Sequence, residues 1–355
     1  RQLSGSERID EYGFLGELAL NGAVRPVSGV LAMSLALRDS GRKGVVVPKG
    51  NQGEVSFLSD FDVRLAESLK DVTAFVEGKK SLAIPSKHVP TQTSNGQEQV
   101  VFSEIKGQYA AKRALEIAAA GGHNLLMVGP PGAGKSLLAK SLPEIMPDLS
   151  YEESVSVTKI YSIAGLLPEG SGLLSKRPFR SPHHTATTAA IVGGGLIPGP
   201  GEITLAHRGV LFMDELAEFS SVVINALRQP LEDGTVSIAR TKGVYRFPCE
   251  VLLVCAMNPC KCGFWGSSIK ECSCTEHQRR QYISKINGPL LDRIDMHVTV
   301  QRVDVRDLAD SRLVTESAPT VKTRVVAARM LQAERLSGTE LFTNSEMGLK
   351  EMSSL

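Results

Sequence analysis

Residues 125–136 read LLMVGPPGAGKS, and this stretch decides the fold. A short apolar run that passes through a glycine-rich loop into the helix-like segment Leu137 to Leu142 predicts a buried strand, a tight turn and a helix in direct succession. Gly129, Pro130, Pro131, Gly132, Ala133, Gly134, Lys135 and Ser136 satisfy the spacing G-x-x-x-x-G-K-[ST] in the strand-to-helix context that this motif requires. Its glycines let backbone N–H groups turn inward on phosphates, Lys135 can neutralise β and γ oxygens, and the Ser136 hydroxyl can ligate Mg²⁺. The expected ATP contacts run from Gly129 to Leu137.

Such a site also needs a carboxylate for the metal ion and a base for the attacking water, delivered at the end of a neighbouring buried strand. The segment GVLFMDE, residues 209–215, supplies both: Asp214 to hold Mg²⁺ through its water shell and Glu215 to polarise the water. A third apolar run, Val251 to Met257, ends in Asn258, whose amide can sense the γ-phosphate and help position the water. Apolar strands alternating with helical segments predict a parallel sheet covered by helices, an α/β domain.

Around this core, 355 residues allow about two or three domains. A composition of 42% hydrophobic and 22% charged residues is that of a packed globular chain. Forty basic and 38 acidic residues give a net charge of +2, so any nucleic-acid contact must come from local patches. No apolar run of membrane-spanning length and no signal-peptide h-region is present, and a cytoplasmic location without membrane contact is expected. Residues 1–90 read as a small α/β unit, with the strand-like GVVVP at 44–48 and a helix-like stretch from Val30 to Leu37. Residues 91–101, opening with TQTSNGQEQ, read as a linker, and 102–300 as the core domain. Beyond Gln301 the strands cease, and Val321 to Leu336 reads as a basic amphipathic helix with Val325, Val326, Met330 and Leu331 apolar. The chain begins without Met, which suggests a fragment.

Six cysteines in such a chain read as thiols or metal ligands rather than disulfides. Cys260-x-Cys262 and Cys272-x-Cys274 could furnish a tetrahedral structural zinc site, although the one-residue gaps are tighter than the common spacing; free thiols and redox bridges are the alternatives. Cys249 and Cys255 read as small core residues, and the nearby Phe264 and Trp265 as packing residues in preference to base-stacking wedges. Two basic segments could meet DNA phosphates or be plain solvated faces: Arg240, Lys242 and Arg246 on an expected hairpin between Val236 and Phe247, and Lys176, Arg177, Arg180, His183 and His184. Adjacent histidines without further ligands are a weak metal site.

GPPGAGKS, GVLFMDE, AMNP and GPLLDRID, in this order, resemble the AAA+ ATPases of the magnesium-chelatase clade, over about Phe102 to Val300. The segments FRSPHH (179–184), LEDGTVSIAR (231–240) and NPCKCG (258–263) are similar to its ComM/YifB-type branch. The resemblance implies that Arg293 of LLDRID reaches the γ-phosphate of a neighbouring subunit in a homo-oligomeric ring, usually a hexamer. It also implies that Ile105, Gly107 and Gln108 lie beside the adenine, and that residues 301–355 begin a helical lid. A second lid arginine has no matching motif before Leu355, so the lid is expected to be incomplete.

Residues 16–22, 24–27 and 46–51 look like the latter half of a Lon-protease-like domain. The positions that would carry the catalytic lysine read Leu31, Ala32 and Met33, and no lysine lies between Arg25 and Arg42, so no peptidase is expected. For the ComM/YifB-type branch the resemblance implies a helicase-like motor that migrates DNA branch points, with branched or single-stranded DNA as partner. A chelatase motor inserting Mg²⁺ into a porphyrin is the alternative, against which the cysteine cluster and the Lon-like segment stand. A binding switch with negligible turnover is a further alternative, disfavoured by the intact Glu215.

Overall fold

The computed structural model describes residues 7–86, 102–168, 170–195, 198–241, 243–267, 270–286, 288–303, 315–339 and 341–353. The linker expected at 91–101 and Lys242 lie outside the described residues. The chain divides into two compact units, Arg1–Gly96 with Leu149–Lys176, and Gln97–Asp148 with Arg177–Leu355.

In the first unit a parallel sheet holds β1 (Tyr12–Phe14), β2 (Gly44–Pro48) and β3 (Asp62–Ala66), with β2 in the middle. The valine run of β2 is buried throughout because both of its faces are covered: Val45 and Val47 pack with Val30, Leu31 and Phe61, while Val46 packs with Tyr12, Ala66 and Phe75. The helix Val30–Asp39 lies where the sequence places one, and Leu31, at a position where a peptidase base would stand, is fully buried. The stretch Leu149–Lys176 lies within the range 102–300 expected for the core domain, yet it groups with this first unit. Its helix Tyr151–Ile163 starts with a capping box between Ser150 and Glu153. The Ser162 carbonyl accepts from the Gly29 N–H at 2.9 Å. The buried Glu54 carboxylate accepts from the Ser162 hydroxyl, the Asn51 amide and the Leu31 N–H, so its charge is met by three donors.

The second unit contains β4 (Leu125–Val128), β5 (Phe179–Arg180), β6 (Val210–Met213), β7 (Thr235–Arg240), β8 (Gly243–Pro248), β9 (Leu252–Met257) and β10 (Met296–Thr299). Among the described residues five of these form one sheet in the order β10-β4-β9-β6-β5, every pair parallel. This is the α/β core predicted from the P-loop context. Alternate residues serve two separate cores: Leu126, Leu211, Leu253 and Cys255 on one face, Leu125, Met127, Phe212 and Val254 on the other. Strand order reverses around β4, and in open parallel sheets such a reversal leaves a crevice at the carboxyl ends of the strands. The P-loop, Asp214–Glu215 and Asn258 all follow the carboxyl ends of their strands and so meet at that edge.

The hairpin β7–β8 is antiparallel from Thr235↔Pro248 to Arg240↔Gly243. Val236 and Ile238 of β7 reach the core, whereas Gly243 to Arg246 on β8 are exposed. In the helix Ala318–Arg335 the buried stripe is Val321, Val325 and Gln332. Met330 and Leu331, expected on the apolar face, are instead 68% and 67% exposed. The stripe packs with the helix Tyr109–Gly121, whose last carbonyls need donors. The Gln332 amide donates to the Ala120 carbonyl at 2.9 Å, and Arg329 donates to that of Ala119 at 3.0 Å. Gln332 stands one heptad after Val325 and so shares its face, whereas Met330, five residues after Val325, is turned away from it by the 3.6-residue period. Among the described residues no helix is long and apolar enough to cross a membrane.

Candidate active site

The P-loop is built by backbone that only glycine accommodates. A Cβ at Gly129 would lie 2.1 Å from the Val300 carbonyl oxygen, so the loop leaves β4 directly against the chain that follows β10. Gly132 and Gly134 adopt φ of +73° and +89°, with nothing within 4 Å of where a Cβ would stand. That open cradle at the start of the helix Lys135–Ile145 has the form that phosphate oxygens require. Leu137 points away, half exposed, while Leu138 is buried and anchors the helix.

Lys135 is 9% exposed, and its ammonium donates to the carbonyls of Gly129 at 2.6 Å and Pro130 at 3.0 Å and to Asn258 Oδ1 at 3.2 Å. Burial pulls its pKa below the ordinary lysine value, and the charges of Asp214 and Glu215 pull the other way. The Ser136 hydroxyl donates to Asp214 Oδ2 at 2.7 Å, and the Glu215 N–H donates to Asp214 Oδ1 at 3.0 Å. A hydroxyl and a carboxylate so close form a hard oxygen pair suited to Mg²⁺. Glu215 sits at φ 53°, ψ 46°, a left-handed conformation that costs a non-glycine residue energy and aims its half-exposed carboxylate outward. Lys135, Ser136, Asp214, Glu215 and Asn258 are thus joined as the sequence proposes.

The adenine candidates lie on a segment tied to the same loop. Gln108, also left-handed at φ 55°, donates its amide to the Ala133 carbonyl at 2.9 Å and to that of Gln301. Gly107 has φ +63°, with Val303 3.4 Å from the position of a Cβ, and Ile105 packs partly buried on the core. Arg293 follows the short helix Gly288–Leu291 and donates from Nε and Nη2 to Glu232 Oε1 at 3.0 and 2.6 Å. The nearby Asp295 accepts from the Asn124 N–H at 2.8 Å. Among the described residues Arg293 makes no bond to the P-loop of its own chain.

His184 is the residue at this site whose part sequence reasoning missed. Its Nδ1 lies 3.3 Å from Glu215 Oε2, and its ring packs on His183, with centroids 4.1 Å apart, and edge-on against Phe219. FRSPHH carried the residue, but only the pairing of β5 beside β6 shows that this loop reaches Glu215. In the same segment Arg177 donates to the carbonyls of Pro147 and Arg208, each at 2.6 Å, and Arg180 forms a bidentate pair with Glu202 at 2.6 and 2.7 Å. These cations hold loops within the domain. On the hairpin, Arg240 and Arg246 are exposed.

The cysteine pairs converge. The ligand atoms of Cys260, Cys262, Cys272 and Cys274 all lie within 4.8 Å of one another. Sγ separations are 3.3 Å for Cys260–Cys262, 3.7 Å for Cys260–Cys272 and 3.6 Å for Cys262–Cys272. Backbone N–H groups of Trp265 and Cys262 donate to the sulfurs of Cys260 and Cys274 at 3.4 Å each. A hydrogen bond from the Phe264 backbone helps bring the Cys262 thiol down to about 5, whereas burial pushes Cys260 up to about 11. Cys249 and Cys255 stay outside the cluster as buried core thiols, and burial pushes Cys249 up to about 12. Cys249 precedes β9 and only Cys255 lies within it. Trp265 is 52% exposed, with the Arg279 guanidinium 5.7 Å above its ring.

A family model described as magnesium chelatase, subunit ChlI, matches residues 101–308, and another described as subunit ChlI of Mg-chelatase matches residues 2–51. The YifB protein of Escherichia coli is 42% identical over 330 residues, covering 93% of this chain and 64% of its own length. A Mycobacterium bovis protein is 42% identical over 342 residues, covering 96% of this chain and 67% of its own. The competence protein ComM of Haemophilus influenzae is 38% identical over 353 residues, covering 97% and 68% respectively. The chain thus spans less than two thirds of the length of the E. coli relative.

Proposed function

We propose, given that this chain belongs to the magnesium chelatase subunit ChlI family, that it is an ATP-hydrolysing ring motor that acts on DNA. The observation that carries the hydrolytic part is the convergence of Lys135, Ser136, Asp214, Glu215 and Asn258 at one sheet edge, through the bonds Lys135–Asn258 and Ser136–Asp214. ATP supplies the reactive γ-phosphoryl group and Mg²⁺ spreads its developing charge. The cradle of Gly132 and Gly134 turns N–H groups on the phosphates, and the buried Lys135 adds a cation whose hydrogen bonds are already aimed. Ser136 and Asp214 hold the metal ion, with Ile105, Gly107 and Gln108 flanking the base. Glu215 accepts the proton of the attacking water, and Asn258 helps to position that water. Arg293, engaged with Glu232 at the surface, is the residue we assign to the nucleotide of a neighbouring subunit in a homo-oligomeric, hexameric ring.

DNA as the track is supported by the competence name of the Haemophilus influenzae relative and by the exposed strand β8, where Val244, Tyr245 and Arg246 face solvent beside Arg240. We take branch migration on branched or single-stranded DNA as the activity, and zinc as the occupant of the cysteine cluster. The family description favours a second reading, a motor for magnesium insertion into a porphyrin. The test is the ATPase rate of this protein and of Glu215→Gln, with and without a four-way DNA junction at two salt concentrations. Junction-stimulated hydrolysis that weakens with salt is expected, since phosphate contacts release counterions. Loss of the base should lower turnover by about 10²–10⁴-fold with ATP binding kept. Equal turnover in both forms would refute the hydrolytic assignment, and indifference to DNA would move the reading to the chelatase motor.

A further inference from the structure

The cysteine cluster stands next to the catalytic edge. Asn258 accepts from Lys135, two residues later Cys260 is fully buried, and the intervening turn closes with the Gly263 N–H donating to the Cys260 carbonyl at 2.9 Å. Gly263, at φ +85°, lies against the P-loop: a Cβ there would stand 2.7 Å from Pro131 Cδ and 2.8 Å from its Cγ. The chain from Asn258 to Gly263 therefore touches the nucleotide loop at both ends, through a hydrogen bond at one and van der Waals contact at the other.

Four thiolates around one zinc ion, with Zn–S near 2.3 Å, place their sulfurs about 3.8 Å apart. The separations of 3.6 and 3.7 Å meet this, and that of 3.3 Å needs only a small outward shift of one side chain. N–H groups donating to the sulfurs are the outer contacts expected of a thiolate site. The sequence between Asn258 and the helix Glu276–Ile283 carries few apolar side chains, so a metal clip is the cross-link that would hold it against Pro131.

We infer that a zinc ion bound by Cys260, Cys262, Cys272 and Cys274 is a positioning device for the nucleotide site, clamping Asn258 and Gly263 against Lys135 and Pro131. The inference rests on the reading of the P-loop edge as an ATP site. It predicts that the metal and the nucleotide sense one another through the loop.

Trp265 supplies a probe, being the single tryptophan of the chain, with its backbone N–H donating to Cys260 Sγ. Zinc content, ATP turnover and the Trp265 emission change on adding a non-hydrolysable ATP analogue should be measured for wild type, Cys274→Ser, Cys274→His and Gly263→Ala. Wild type should carry stoichiometric zinc and an emission change. Cys274→Ser should lose zinc and the emission change, and its kcat should fall by about 10–100-fold with KM little altered, as expected when catalytic groups shift by an ångström. Cys274→His, which restores a zinc ligand, should recover all three. Gly263→Ala should keep zinc yet lose kcat by pushing on Pro131, which separates loss of positioning from loss of fold. Wild-type protein without zinc, or a zinc-free Cys274→Ser protein with normal kcat and normal emission response, would overturn the inference. A zinc-dependent emission response in a protein that hydrolyses no ATP would support the coupling while refuting the motor.

Discussion

Glu215 combines an ordinary side chain with an unusual backbone. Its left-handed φ of 53° follows the last residues of β6 and turns the carboxylate out of the sheet edge, where His184 meets it. An imidazole nitrogen 3.3 Å from Oε2 can restrain the orientation of this carboxylate, and the positioning of a catalytic group contributes to rate. His184→Ala should lower kcat by about tenfold with KM nearly unchanged, and His184→Asn, which retains a polar group there, should recover part of the loss. Steady-state kinetics at fixed Mg²⁺ check this; an unchanged kcat would mean that the contact has no part in catalysis. The identities of Lys135, Ser136, Asp214, Glu215 and Asn258 were legible in the sequence, because each stands at a fixed offset from an apolar strand. His184 was not, since the contact is made across two strands whose adjacency is tertiary.

At the scale of elements, the helix Ala318–Arg335 meets the helix Tyr109–Gly121 through polar contacts as well as through Val321 and Val325. Arg324 donates from Nε to Glu116 at 2.6 Å and pairs also with Glu316, while Arg113 meets Glu116 at 3.0 Å. The Arg324 and Arg113 guanidiniums draw the Glu116 pKa below the ordinary carboxylate value, against the opposing effect of burial. A carboxylate depressed in the folded state stabilises above its unfolded pKa, and that contribution is lost as pH falls through the folded one. The attachment of the helix Ala318–Arg335 should therefore be pH-independent near neutrality and weaken in acid, below about pH 4. Glu116→Gln should destabilise the protein by up to about 1 kcal/mol at pH 7, because the largely exposed Arg324 and Arg113 lose a charged acceptor but keep access to solvent. Thermal unfolding at pH 7 and in mild acid checks both, the difference between the two proteins shrinking in acid.

For the whole molecule, a ring is tested by mixing. Arg293 is engaged by Glu232 on the surface of its own chain, so on our reading it completes a neighbour's site. Arg293→Ala and Glu215→Gln proteins should each be inactive alone and regain part of the wild-type ATPase rate when mixed, since some mixed interfaces carry both intact residues. No recovery in mixtures that demonstrably co-assemble would place Arg293 outside catalysis. The sequence by itself determined the α/β core, the order of strand, loop and helix around GPPGAGKS, and the residues of the P-loop edge, because hydrophobic period and glycine spacing are local properties of the chain. Tertiary structure alone decided that Leu149–Lys176 completes the first unit, that Arg177 and Arg180 bond to Pro147, Arg208 and Glu202, and that the Gln332 amide meets the Ala120 carbonyl. It also decided that the cysteine loop rests on Pro131. Each of these depends on which carbonyls, carboxylates and surfaces distant segments bring together, and no local period encodes such a meeting.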